Sequence, residues 1–159
     1  MNNKKNVILT AVWGILSLAV LGFIFSNSVR NGEESALQSQ WYVDIFISIF
    51  DPMQSLEYDV WVTIVRKLAH FTEFFALGLC IKFFIGHVCT AIEKSCLLLP
   101  FFITLLCAVS DEFIQSFTGR TSSARDVLID FAGSITGILI AALLMKIGKN
   151  KTKYVNIQK

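Results

Sequence analysis

The chain has 159 residues, 54% of them hydrophobic and only 16% charged, with a formal charge of +2. Those proportions exclude an ordinary soluble domain, and so small a charge gives no ground for a nucleic-acid partner. Apolar runs of about 18 residues or more, long enough to cross a bilayer, organise the sequence instead.

The first run, "VILTAVWGILSLAVLGFIF", carries no charge and predicts a helix over about 7–26. Lys4 and Lys5 precede it as a signal peptide's would. Yet the run exceeds the ~7–15 apolar residues of a signal core and no A-x-A site follows, so it is read as a retained helix. Next comes "WYVDIFISIF", residues 41 to 50, which as a helix reaches only ~15 Å, half a hydrocarbon core. Trp41 and Tyr42 suit a headgroup boundary and "DPM" ends the stretch, which predicts a short interfacial or re-entrant segment. Further helices are predicted over about 64–86, 97–117 and 126–147. The expected architecture is an all-α bundle of four transmembrane helices forming one domain, 1–159, without internal repeats.

Lysine and arginine bias sets the orientation. Lys4, Lys5, Lys94, Lys146, Lys149, Lys151, Lys153 and Lys159 all fall at one set of helix ends. The opposite connection offers Arg30 against Glu33, Glu34, Asp44, Asp51, Glu57 and Asp59. Both termini are therefore expected in the cytoplasm. Cys80, Cys89, Cys96 and Cys107 lie outside the predicted outer loops, so they are read as small apolar residues and not as a disulfide framework.

Polar residues recur at one depth. From the predicted boundaries, Asp111 lies ~9 Å, Asp130 ~7 Å, and Lys67, His70 and Glu73 from ~3 to ~12 Å below the outer edge. They also share faces. Asp126, Asp130, Gly133 and Gly137 fall at i, i+4, i+7 and i+11; Asp111 and Gln115 at i, i+4; Lys67, His70 and Glu73 advance by threes. Charges in a bilayer rarely face lipid, so these helices are expected to enclose a polar cup open to the outside. Five carboxylates (Glu73, Asp111, Glu112, Asp126, Asp130) and the cations Lys67, His70, Arg120 and Arg125 exceed what helix register alone requires. Gly133 and Gly137 form a GxxxG pair, read as helix packing. Arg66 and Lys67 can also simply snorkel at a helix end.

Three motifs, "KLAHFTEF", "SDEFIQSFTGR" and "RDVLIDFAGSITG", together resemble the VanZ-like family between Trp61 and Gly137. The match is K-x-x-H-x-x-E in Lys67, His70 and Glu73, D-E-x-x-Q in Asp111, Glu112 and Gln115, G-R in Gly119 and Arg120, then Asp126, Gly133 and Gly137. "FSNS" at the end of the first helix adds to the likeness. Thr118 departs from a proline frequent in the family, and Asp130 from its usual asparagine. The resemblance implies a multi-pass bacterial cell-membrane protein associated with low-level resistance to teicoplanin-type glycopeptides.

Three mechanisms are compatible with these residues. In the first, an intramembrane hydrolase or transferase acts on a lipid phosphate headgroup or lipid-linked cell-wall component. Lys67, Gln115, Arg120, Arg125, Asp126 and Asp130 would bind it. His70 would be nucleophile or general base, oriented by Glu73, Asp111 or Glu112. In the second, the cup binds a lipid-linked precursor or an acylated glycopeptide unchanged. The third, an ion or proton carrier, is disfavoured because "FALGLCI", "LLLPFFITLL" and "ILIAALLM" hold no ionisable relay. No cofactor is required. A divalent metal on these carboxylates and His70 is an option, although no spacing as stringent as HExxH occurs.

Overall fold

The structure is a computed structural model describing residues 3–30, 32–53, 55–91, 96–119 and 122–157; Arg120 lies outside the described residues. Five helices follow one another: α1 (Asn3–Ser28), α2 (Gly32–Phe50), α3 (Tyr58–Ala91), α4 (Leu99–Ser116) and α5 (Ala124–Ile157). No strand occurs among the described residues. Four helices, α1, α3, α4 and α5, are long and apolar enough to cross a membrane.

The predicted short segment at 41–50 is longer than its apolar residues indicate, because α2 starts at Gly32 and runs for 19 residues. Residues 32–40 include Ala36, Leu37 and Gln38, residue types that favour helix. An apolar count passes over such a stretch. Val43 of α2 is buried with Trp61 and Val65 of α3, so α2 lies along the start of α3.

Local chemistry explains the ends of α4 and α5. Pro100 sits in the first turn of α4, where a missing N–H costs nothing. Past its end, Gly119 takes φ 71°, a left-handed conformation that glycine adopts without strain. Ser123 caps α5 by accepting a bond from the Arg125 N–H, 3.1 Å, which satisfies a donor of the first turn.

The most extensive helix contact joins α3 and α5. A Cβ added at Gly133 would overlap the carbonyl oxygen of Phe71, and one at Gly137 that of Phe75. On the facing helix, a Cβ at Gly78 would collide with the Ser134 backbone. Glycine on both sides lets the two backbones touch, the small-residue packing that operates where lipid removes the hydrophobic drive. Below this contact Phe74, Leu77, Ile81, Ile85 and Cys89 of α3 form an apolar core with Ile24 and Ala108. At the far end the His87 ring meets the Asn6 side chain at 3.0 Å.

One cysteine expectation is corrected. Cys89 and Cys96 are disulfide-bonded, their Cα atoms 6.3 Å apart, while Cys80 and Cys107 remain free thiols. The pair links the end of α3 to the segment just before α4, seven residues apart in sequence.

Alanine at Gly137 should gain helix propensity yet force α5 off α3, a net loss of about 1–3 kcal/mol in line with overpacked cores. Thermal unfolding in detergent measures it. Gly22→Ala, where nothing lies within 4 Å of the added atom, should not lower the melting temperature.

Candidate functional site

At the end of the bundle where α3 and α5 begin, polar side chains from four helices converge. Asp111, Gln115 and Asp130 are fully buried, and Glu112 is 3% exposed. Asp130 lies on α5 one turn before its glycine contact with α3, and the other three lie on α4.

His70 is the centre. Its Nδ1 lies 3.3 Å from Asp130 Oδ1 and 3.8 Å from Asp111 Oδ2. Asp111 Oδ2 also accepts a hydrogen bond from Gln115 Nε2, 2.6 Å, and its Oδ1 accepts one from the Ser28 hydroxyl. Gln115 Oε1 in turn faces Arg66 Nη2 at 3.4 Å. Glu73, one turn deeper on α3, accepts a bond from Asn27 Nδ2, 3.1 Å. Lys67 bonds Asp126 at 2.6 Å, with side chains 41% and 21% exposed. Water therefore screens that pair, and its contribution is that of a surface bridge, under about 1 kcal/mol.

The sequence-derived residues divide into four groups. His70, Asp111, Gln115 and Asp130 are joined by the contacts just described, with the Lys67–Asp126 pair and Glu73 beside them. Glu112 faces the α4–α5 turn, its Oε2 accepting the Ser123 N–H at 2.9 Å, so it fastens the cap of α5. The Arg125 side chain is exposed, and no described contact joins it to the cluster. Gly133 and Gly137 sit in the α3–α5 contact.

Three residues absent from the predicted set belong to the cluster: Arg66, Asn27 and Ser28. Arg66 shares a face with His70 at i, i+4, a signal the sequence carried. Asn27 and Ser28 follow the end of an uncharged run, where only the "FSNS" likeness marks them.

A cavity of about 210 Å³ opens over His70, lined by Val62, Thr63, Arg66, Lys67, His70, Asp126 and Ile129. Two cations, a carboxylate and an imidazole are among its lining side chains. A larger groove of about 630 Å³ lies between α2 and α3, lined by Asp44, Ile47, Ser48, Pro52, Leu56 and Tyr58. That groove offers one carboxylate and neither a cation nor an imidazole, so the smaller cavity is where charged chemistry is concentrated.

The α2–α3 corner beside that groove is held by Asp51. Its carboxylate accepts the backbone N–H groups of Ser55 (2.8 Å) and Leu56 (2.9 Å) and the Trp61 indole N–H (3.1 Å). The Ser55 amide, then Leu56 and Trp61, lower its pKa from 3.8 to about 2 against the opposing effect of burial. A depressed carboxyl stabilises the fold above its unfolded pKa and loses that effect as pH falls through the folded one. With Trp13 and Trp41 replaced by Phe, Trp61 emission should hold above pH 3.8 and shift to the red as pH approaches about 2. Asp51→Ala should show the shifted emission already at neutral pH.

Helices of membrane-spanning length around a half-buried polar cluster define a multi-pass α-helical membrane protein with an ion-paired site at one end of its bundle. The chain belongs to the VanZ/LLP1 family, whose model matches residues 13–145. A search of curated proteins and one of solved structures each returned no match.

Proposed function

We propose that the cavity over His70 receives the phosphate of a membrane lipid headgroup or lipid-linked cell-wall component, and that His70 acts on it. One observation carries this reading: a small cavity in a membrane bundle is lined by Arg66, Lys67 and His70 together. Arg offers paired N–H donors to phosphate oxygens, and Lys a point charge. The Nδ1 edge of His70 faces Asp130 and Asp111, and on this reading the headgroup approaches the opposite edge of the ring. Glycopeptide resistance of the teicoplanin type follows if that headgroup belongs to the wall-precursor cycle.

Which leaflet supplies the lipid depends on orientation, where two features oppose each other. The lysine bias places the α3–α4 connection in the cytoplasm, whereas the Cys89–Cys96 bond is of a kind cytoplasmic reductants open. We take the lysine bias, because it draws on several separate segments. The cavity then faces the outer leaflet and both termini lie inside. In a cysteine-free background, cysteines at Ser39 and Ser122 should react with an impermeant maleimide on intact cells. Protection of both, with labelling near the termini, would turn the site toward the cytoplasm.

Native mass spectrometry tests the ligand directly. Wild-type protein released gently from detergent should retain a phosphate-bearing lipid, and Arg66→Gln combined with Lys67→Gln should lose it. His70→Ala should insert normally and keep the lipid while abolishing any resistance that the wild type confers on a host. Undiminished resistance would leave a binding protein in place of an enzyme. Absence of any retained lipid from the wild type would count against the headgroup reading.

A further inference from the structure

The cluster has an imbalance that phosphate binding does not address. Asp111 and Asp130 are completely buried, and among the described residues the only cationic side chain in ionic contact with either is His70. Lys67 is committed to Asp126, and Arg66 reaches Gln115 rather than a carboxylate. A single imidazole cannot neutralise two carboxylates.

Hydrogen bonding makes the two carboxylates unequal. Asp111 is satisfied by Ser28 and Gln115. Among the described residues, Asp130 has only the His70 ring, 3.3 Å from its Oδ1, and no hydrogen bond reaches its Oδ2, although both oxygens are buried from solvent. Buried carboxylate oxygens are ordinarily hydrogen-bonded, since leaving them bare forfeits their hydration without return. Asp130 Oδ1 points at His70, and nothing described meets Oδ2. A buried acceptor left open beside an imidazole and a second carboxylate has the composition of a coordination site.

The spacing agrees. One donor atom each from His70, Asp111 and Asp130 all lie within 4.8 Å of one another. Donors held ~2.1 Å from a common ion stand ~3 to 4.3 Å apart, and the separations from His70 Nδ1, 3.3 and 3.8 Å, fall in that interval. We propose that His70 Nδ1, Asp111 and Asp130 hold a divalent metal ion beneath the cavity. Two carboxylates and a neutral imidazole match a dication in charge. The mixed nitrogen and oxygen set suits zinc or manganese better than calcium, which prefers oxygen throughout. Gln115, Ser28 and the Arg66 contact behind Gln115 then orient the Asp111 ligand from outside.

Occupancy by the ion changes what His70 does. With metal on Nδ1, the ring proton resides on Nε2, so His70 donates a hydrogen bond into the cavity. With the site empty, Nδ1 faces Asp130 Oδ1 at 3.3 Å and that edge of the ring is free to carry the proton. This goes beyond the headgroup reading and stands without it, because metal binding is measured with no phosphate present.

The test uses the full chain purified in a phosphate-free detergent, stripped with EDTA, dialysed, and reloaded with zinc chloride alone or manganese chloride alone. Elemental mass spectrometry should then find one ion per chain for at least one metal, with a raised melting temperature. Asp130→Asn and His70→Gln should each retain about tenfold less metal or lower still. The exposed control Asp59→Asn should retain as much as the wild type. Failure of the wild type to hold either ion, with no thermal shift, would overturn the proposal and leave protons as the balancing charge. Equal loss in Asp59→Asn would also overturn it, by showing nonspecific adsorption. Because wild-type loading is decisive by itself, a variant that fails to fold does not rescue the idea.

Discussion

Backbone contact between α3 and α5 is the constraint on which the site depends. In lipid, apolar side chains gain little by leaving the solvent, so helices associate through close packing and polar bonds. Gly78, Gly133 and Gly137 let the two backbones meet with no side chain between them. The helices beyond the contact are thereby held close enough for Lys67 to reach Asp126 and for His70 to reach Asp130. Side chains larger than glycine there would separate the imidazole from its carboxylates before touching either. Position on the helix face and polar chemistry are in this way one design, with the stripe Asp126–Asp130–Gly133–Gly137 carrying both.

The remaining helices complete the cluster from its flanks. The last turn of α1 contributes Asn27 to Glu73 and Ser28 to Asp111, while the Thr118 hydroxyl also bonds the Ser28 carbonyl. α4 supplies Asp111 and Gln115 to the interior and Glu112 to the turn that starts α5. A carboxylate one position away from another thus serves the backbone, and only helical phase distinguishes the two.

Much of this was legible in the sequence. Spans, their number and the shared polar layer follow from run length and from the 3.6-residue period, because a bilayer forces both. The convergence of Lys67, His70, Asp111 and Asp126 was readable as faces and depths. What escaped had a physical reason in each case. α2 extends through "GEESALQSQ", where helix propensity rather than hydrophobicity acts. Asn27 and Ser28 are uncharged, so the cost of burying charge did not single them out. Arg66 was hidden by its plausibility as a snorkelling side chain. The Cys89–Cys96 bond was passed over because both cysteines fell outside the predicted outer loops, where an oxidised pair is ordinarily sought. For Glu112 and Arg125 the sequence fixes which side of a helix they occupy, but not that a backbone amide meets the one and solvent the other.

Beneath the carboxylates the buried α3 residues Phe74, Leu77, Ile81 and Ile85 run on toward the opposite end of the helix. That stretch acts as an electrical insulator. Carrying one elementary charge across a membrane at 100 mV is worth about 2.3 kcal/mol, and a site sealed from one side by hydrocarbon has no means of drawing on it. On the headgroup reading proposed above, chemistry over His70 would run on free energy stored in the ligand's own bonds, and the fitting ligands would be headgroups already activated when they arrive.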